Sequence, residues 1–216
     1  MDDEASGNLS TFNGRPSIFN SLVKRLVLGT NNSHKVFEVQ SALAGLKEWE
    51  VLPQPEGIPE IEETGGTFLE CAIQKASHVS RYIVDLVLAD DSGLCIDALD
   101  GRPGVFSKRY AATDAARIDR VLREMESVAD ANRSARFVCA LALAQRGSIL
   151  WTTEGKVEGT IARTPHGTNG FGYDPIFRIP EFQRTMAELT IDEKNRISHR
   201  GRALQALATH FLSDGM

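Results

Sequence analysis

Residues 135–144 and 149–157 are two long, largely apolar runs separated only by Gln145-Arg146-Gly147-Ser148. A connection this short joins antiparallel strands, because parallel neighbours need a crossover of a dozen residues or more. Glu158-Gly159-Thr160-Ile161-Ala162 extends the second run. Nearer the N-terminus the pattern changes. Arg25-Leu26-Val27-Leu28-Gly29 reads as a core strand, and Val36, Val39 and Leu43 then keep one face of a helix. A strand feeding a helix, combined with a long hairpin, predicts an α/β fold on a mixed sheet.

The most chemically loaded segment is Leu86-Val87-Leu88-Ala89-Asp90-Asp91-Ser92-Gly93-Leu94. Its apolar half predicts a buried strand that ends at the polar residues, with Leu94-Cys95-Ile96 starting a second strand. Ligands of open α/β sheets bind at the carboxyl ends of strands. Adjacent carboxylates repel unless a cation or a proton offsets them. The residues alone allow two readings: an Asp-Ser-Gly turn between strands, or a Mg²⁺ or Mn²⁺ site that handles phosphates.

Three further polar segments leave similar choices. Thr30-Asn31-Asn32-Ser33-His34-Lys35 spans the first strand-to-helix turn. Asn32 or Ser33 can cap the helix, and free backbone N–H groups with Lys35 suit an anion. The Walker pattern is missing, and such turns occur in most α/β proteins. Gly167-Thr168-Asn169-Gly170-Phe171-Gly172-Tyr173-Asp174-Pro175 sets an aromatic ring among glycines. It is either a stacking platform for a base or a loop with Phe171 tucked into the core. Lys194-Asn195-Arg196-Ile197-Ser198-His199-Arg200-Gly201-Arg202 is a basic cluster between two helical pieces, able to meet phosphate or keto oxygens.

Thr67 and Glu70 form a capping box, and Phe68, Ala72, Ala76, Val79 and Ile83 carry the helix it starts. Glu63 therefore falls near a helix start, beside Glu60 and Glu62. Thr190 and Glu193 form a second box. Residues 113–125 predict a helix with a charged outer face. Residues 101–110 form a loop rich in turn residues and positive charge, either a surface connection or a segment that orders around a ligand or an oligomer partner.

The 216 residues suffice for one sizeable core, and residues 1–22 read as a flexible extension preceding a single domain over 23–216. A net charge of −5 argues against a nucleic-acid polymer as partner. No apolar run approaches a membrane span. Cys71, Cys95 and Cys139 are scattered in what read as apolar surroundings, which predicts reduced thiols in a cytoplasmic protein, not a disulfide framework or a zinc site. The acidic start, Met1-Asp2-Asp3-Glu4, resembles neither a secretory signal nor a transit peptide.

In order along the chain stand Thr30-x-Asn32-x-x-Lys35, Glu62-Glu63-Thr64-Gly65 with Phe68-x-Glu70, and Ala89-Asp90-Asp91-Ser92-Gly93-Leu94. Then come Gly101-x-Pro103-Gly104-x-x-Ser107-x-Arg109-Tyr110, Gly170-Phe171-Gly172-Tyr173-Asp174-Pro175 and Ser198-His199-Arg200-Gly201. Through these motifs the chain resembles the Ham1/RdgB family of inosine/xanthosine triphosphate pyrophosphatases, from about residue 25 onward. Two departures are visible: a longer N-terminal extension, and Cys71 where the family pattern has Asn.

The resemblance implies an elongated, two-lobed α/β fold around a long mixed sheet flanked by helices, with the nucleotide cleft between lobes. It also implies a homodimer and hydrolysis of ITP, dITP and XTP to the monophosphate and pyrophosphate, with Mg²⁺ as cofactor and Mn²⁺ as its alternative. Asp91 would take the proton of the attacking water and, with Glu63, hold the metal; the adjacent Asp90 is a second carboxylate able to share this work, and the sequence leaves the split between the two open. Lys35 and Lys194, with Thr30, Asn31, Asn32, Ser33 and His34, would hold phosphates. Ser92 would contact substrate. Phe171 would stack on the base in a pocket shaped by Gly172, Tyr173 and Asp174, with His199 and Arg200 donating to its 6-keto oxygen. The alternatives are a Maf-type pyrophosphatase, which turnover of dTTP or UTP would reveal, and a nucleotide-binding regulatory module without hydrolysis, against which the presence of both Asp91 and Lys35 speaks.

Overall fold

The computed structural model describes residues 23–213; the extension expected over 1–22 lies outside them. The hairpin is as the sequence predicts. Strands β4 (Ser134–Gln145) and β5 (Ser148–Ile161) pair antiparallel along nearly their whole length. Their turn places Arg146 and Gly147 at φ 52° and 84°. Two left-handed residues give the turn a twist that matches the strands it joins.

Around this hairpin lies a seven-stranded mixed sheet in the order β2-β1-β3-β4-β5-β6-β7. Strands β1 (Lys24–Leu28), β2 (Trp49–Leu52) and β3 (Leu86–Ile96) run parallel, and β6 (Phe177–Ile179) and β7 (Arg184–Thr185) continue the antiparallel half. Helix α1 (Ser33–Leu43) follows β1, and α2 (Phe68–Val79) precedes β3. Helices α3 (Asp114–Glu124), α4 (Ile191–Ile197) and α5 (His199–Ser213) complete the flanking layers. Both expected capping boxes form. Helix α2 stops at Val79, so Ile83 falls in the connection beyond it. Among the described residues no helix is long and apolar enough to cross a membrane.

One expectation is overturned in β3. Asp90-Asp91-Ser92-Gly93 is not a turn, and Leu94-Cys95-Ile96 is not a second strand. A single strand runs from Leu86 to Ile96, paired residue by residue with β4 from Val87↔Ala144 to Ile96↔Ala135. The hydrogen-bond ladder to β4 carries the backbone straight through the polar residues. Strand geometry then turns successive side chains to opposite faces.

The two faces differ in their cover. On one, Leu88 joins Leu141, Leu143, Val39, Leu43, Ala203 and Leu204 in a core under α1 and α5. Further along that face Leu94 and Ile96 join Phe137, Ile118, Val121 and Phe177 in a second core under α3. Asp90 and Ser92 lie between these two cores, so a polar seam divides one face into two apolar lobes. On the other face Ala89 packs with Phe68, Ala72, Ala76 and Ala140 beneath α2.

Gly93 belongs to the α2 face, where it is closely packed. A Cβ there would overlap Ser107 Oγ and lie 2.6 Å from the Gly104 carbonyl oxygen. Ser107 is buried and accepts the Leu94 N–H at 2.9 Å, docking the 3₁₀ segment Gly104–Arg109 on the strand. Gly93→Ala is expected to destabilise the protein by about 1–3 kcal/mol through overpacking. A melting temperature equal to wild type would contradict this account of the contact.

Candidate active site

Strand β1 covers β3 only through Leu28↔Leu88, and the Gly29 N–H closes that ladder on the Leu88 carbonyl at 2.8 Å. From Ala89 to Gly93 the β1-side edge of β3 is therefore clear of β1. The edge is covered again at Leu94 by Ser107. The result is a gap in the sheet edge, flanked by Asp90 and Ser92 from one face and by Asp91 from the other.

Asp90 is a buried carboxylate held in ion pairs. It is 5% exposed and accepts from Lys35 Nζ and Arg200 Nη2, both at 2.9 Å. Burial alone would raise its pKa, but the charges of Lys35, Arg200 and Lys75 hold it far below the usual carboxylate range. Arg200 also pairs with Glu38, at its Nη1, and donates to Ser92 Oγ at 2.9 Å. Glu38 in turn accepts from Lys194 at 2.7 Å, and Lys194 donates to Asp174 at 2.5 Å. Lys35, Asp90, Arg200, Glu38, Lys194 and Asp174 thus form one continuous ionic chain filling the seam. Neighbouring charges satisfy one another, and this is what makes their burial tolerable.

Asp91 faces the opposite way. Its Oδ1 accepts from Lys75 Nζ at 2.7 Å, and Lys75 reaches Glu63 Oε2 at 3.5 Å. Its Oδ2 is buried and has no hydrogen-bond partner among the described residues. Burial pushes the Asp91 carboxyl up, opposed by Lys75 and Lys35 and reinforced by Glu63. Burial disfavours the charge on Lys75, but Asp91, Asp90 and Glu63 outweigh it, so the ammonium persists. The two carboxylates leave the strand on opposite faces, and Asp90 is already spent on two cations.

The aromatic platform stands over the seam. Phe171 is half-buried, with its N–H donated to Asp174 Oδ2 at 2.9 Å. Lys194 Nζ lies 5.1 Å and the Arg200 guanidinium 5.7 Å from its ring centre. Lys194, expected among the phosphate-holding groups, lies beside Phe171 and is paired with Glu38 and Asp174. Gly172 donates its N–H to Asp114 at 2.9 Å, and the Tyr173 hydroxyl donates to the Ser107 carbonyl at 2.9 Å, which ties the platform to α3 and to the segment docked on β3. His34 stacks on Phe171 with ring centres 5.4 Å apart.

His199 is 5% exposed, stacked on Phe137 at 4.8 Å, with Nδ1 lacking a partner among the described residues. Burial and the charges of Arg200 and Lys194 keep its pKa well below the ordinary histidine value, so the ring is neutral near pH 7. In the first turn, Asn32 is the cap: its Oδ1 accepts from the N–H groups of His34 at 3.0 Å and Lys35 at 3.3 Å. The Asn32 N–H donates to Thr30 Oγ1 at 3.2 Å. Several N–H groups expected to be free for an anion are thus used locally, while the side chains of Asn31, Ser33 and His34 stay exposed on the rim.

Lys75 and Glu38 were not singled out in the sequence, although a signal existed for both. Lys75 lies on the stripe of α2 shared with Phe68, Cys71, Ala72 and Val79, where a charge is out of place unless it has a buried partner. Glu38 is likewise on the buried side of α1, with Val39 and Leu43.

The fold and the site together define a class: an open-sheet α/β protein with charged groups gathered where one strand outruns its neighbour. The chain belongs to the Ham1 family, whose sequence profile matches residues 26–210. It is 52% identical over 190 residues to a dITP/XTP pyrophosphatase of Coxiella burnetii, covering 85% of this chain and 94% of that protein. It is 48% identical over 192 residues to a dITP/XTP pyrophosphatase of Bacillus subtilis, covering 87% and 96%. A solved structure of a HAM1 protein from Coxiella burnetii superposes with a TM-score of 0.80 at 50% identity, covering 88% of this chain and 99% of the other.

Proposed function

We propose that this protein hydrolyses dITP, ITP and XTP to the corresponding monophosphate and pyrophosphate, clearing non-standard purines from the nucleotide pool. The observation that carries the reading is the buried Asp91 Oδ2, which has no hydrogen-bond partner among the described residues, on a carboxylate that clusters with Glu63 and Cys71 as potential metal ligands. It joins membership of a family whose relatives carry the dITP/XTP pyrophosphatase name.

Asp91 and Glu63 are oxygen donors of the kind a hard divalent cation takes, and Mg²⁺ is the ion we assign, with Mn²⁺ as a substitute. Bound there, such an ion offsets triphosphate charge and lowers the pKa of water. Asp91 then serves as proton acceptor for the attacking water. Its raised pKa brings it closer to the value a general base needs. Lys75 keeps Asp91 and Glu63 in register through its paired contacts. Lys35, with the Thr30 to His34 rim, meets the phosphates, and Ser92 contacts substrate from the seam. Phe171 stacks on the base, with Lys194, His199 and Arg200 around it and Gly172, Tyr173 and Asp174 holding the pocket wall. Donors from the neutral His199 and from Arg200 suit a 6-keto oxygen, and an adenine amino group would leave them unpaired. We further assign the protein to the cytoplasm and to a homodimer.

Turnover of ITP, XTP, ATP, dTTP and UTP, followed as pyrophosphate release, tests the reading. Preference for ITP and XTP supports it, and equal or better turnover of the pyrimidine nucleotides overturns it in favour of a Maf-like specificity. Phe171→Ala is expected to cost about 1–3 kcal/mol of base stacking, or roughly 5- to 150-fold in KM. An unchanged KM would remove Phe171 from base binding. Replacing His199 with Ala should weaken the preference for ITP over ATP, and unchanged selectivity would take His199 out of base reading.

A further inference from the structure

Cys71 does not sit in the apolar setting expected for the cysteines. Its Sγ, a Glu63 carboxylate oxygen and an Asp91 carboxylate oxygen all lie within 4.8 Å of one another. The thiol is fully buried and donates to the Gly65 carbonyl at 3.4 Å. Gly65 makes that approach possible, because a Cβ there would lie 2.8 Å from the Cys71 backbone nitrogen and 2.9 Å from its Sγ. The loop carrying Glu63 is therefore pressed against the first turn of α2, with the sulfur facing the two carboxylates. Asp91 is 8% exposed, and its Oδ2 has no partner among the described residues. Burial and the charges of Asp91 and Glu63 hold the thiol in its protonated form.

We propose that Cys71 is a third protein ligand at this site, and that Glu63, Cys71 and Asp91 bind a thiophilic divalent cation such as Zn²⁺ or Cd²⁺ in competition with Mg²⁺. This deepens the cation reading of Glu63 and Asp91 and rests on it. Mg²⁺ takes oxygen ligands and has no use for the sulfur. Softer ions prefer thiolate, and two carboxylates plus one thiolate leave a tetrahedral ion one position for water or substrate. On binding, the S–H bond breaks, its proton passes to solvent, and the sulfur lone pair forms the bond to the ion. Lys75 occupies Asp91 Oδ1, which leaves Oδ2 for coordination.

The test is a Cd²⁺ titration of the full chain without nucleotide, read as thiolate-to-metal charge-transfer absorption in the ultraviolet. The expected result is a saturable band that is lost in Cys71→Ser, retained in Cys95→Ser and suppressed by excess Mg²⁺. A second variant keeps the thiol: Asp91→Asn should weaken Cd²⁺ binding by at least about tenfold, since a lost ligand costs more than a lost outer-shell partner. A band that persists unchanged in Cys71→Ser, or Cd²⁺ affinity unchanged in Asp91→Asn, overturns the proposal. No nucleotide is present, so a protein that fails to release pyrophosphate can still show the band, and an active enzyme can still lack it.

Discussion

Asp91→Asn is expected to lower kcat for ITP by about 10²- to 10⁴-fold, the usual contribution of a positioned general base, while ITP binding and the melting temperature are largely retained. The asymmetry follows from where the carboxylate stands. Asn keeps the shape of the side chain and an oxygen acceptor for Lys75, but it cannot take a proton and is a poorer ligand. The fold has little to lose, because burial already disfavours the Asp91 charge. The groups that would bind nucleotide, Lys35, Phe171, Lys194 and Arg200, do not depend on Asp91 for their placement. Steady-state kinetics, equilibrium binding and thermal unfolding on one preparation check all three parts. A fully active variant would sink the proposed mechanism.

Asp90→Asn, one residue away, is expected to do the opposite to stability. It removes the one carboxylate shared by Lys35 and Arg200 and leaves two cations in a buried seam. Breaking a buried ion pair from one side typically costs roughly 3–5 kcal/mol, which for a domain of this size lowers the melting temperature by about 6–20 °C. The same network sets the acid sensitivity. The pKa values of Asp90 and Glu38 are both held below their ordinary values, burial being outweighed by Lys35 and Arg200 for the first and by Arg200 and Lys194 for the second. A carboxylate with a depressed folded pKa stabilises the fold above its unfolded value, about 4. Below that the unfolded chain takes up protons first, and the stabilisation fades as pH falls toward the folded values. Wild-type melting temperature should therefore drop steeply below about pH 4, with a shallower drop in Asp90→Asn. Equal slopes would separate Asp90 from acid unfolding.

The contrast between these neighbours was hidden in the sequence for a definite physical reason. Asp90-Asp91-Ser92-Gly93 has the composition of a turn, and nothing local marks it as strand. What keeps it extended is β4, some fifty residues downstream, and partners on two different layers. Face alternation then decides function: Asp90 turns to α1 and α5, Asp91 to α2. The surroundings of Lys194 were hidden for the same kind of reason, since its neighbours come from two distant segments, Glu38 on α1 and Asp174 with Phe171 in the glycine-rich loop. Lys75 escaped notice because a lysine on a helix is usually a solvated one. The features that were legible depend on local rules. The β4–β5 hairpin follows from two apolar runs and a turn able to hold left-handed residues, and the starts of α2 and α4 follow from Thr-x-x-Glu capping boxes. The charged motifs were legible as a set, because a triphosphate needs cations, a metal site and a base platform together.

The central claim is that this cleft converts a non-standard purine triphosphate into its monophosphate and pyrophosphate. The most direct measurement is product analysis of ITP incubated with the purified chain and Mg²⁺. The account predicts IMP and pyrophosphate in equal amounts; IDP with orthophosphate, or no product at all, would contradict it.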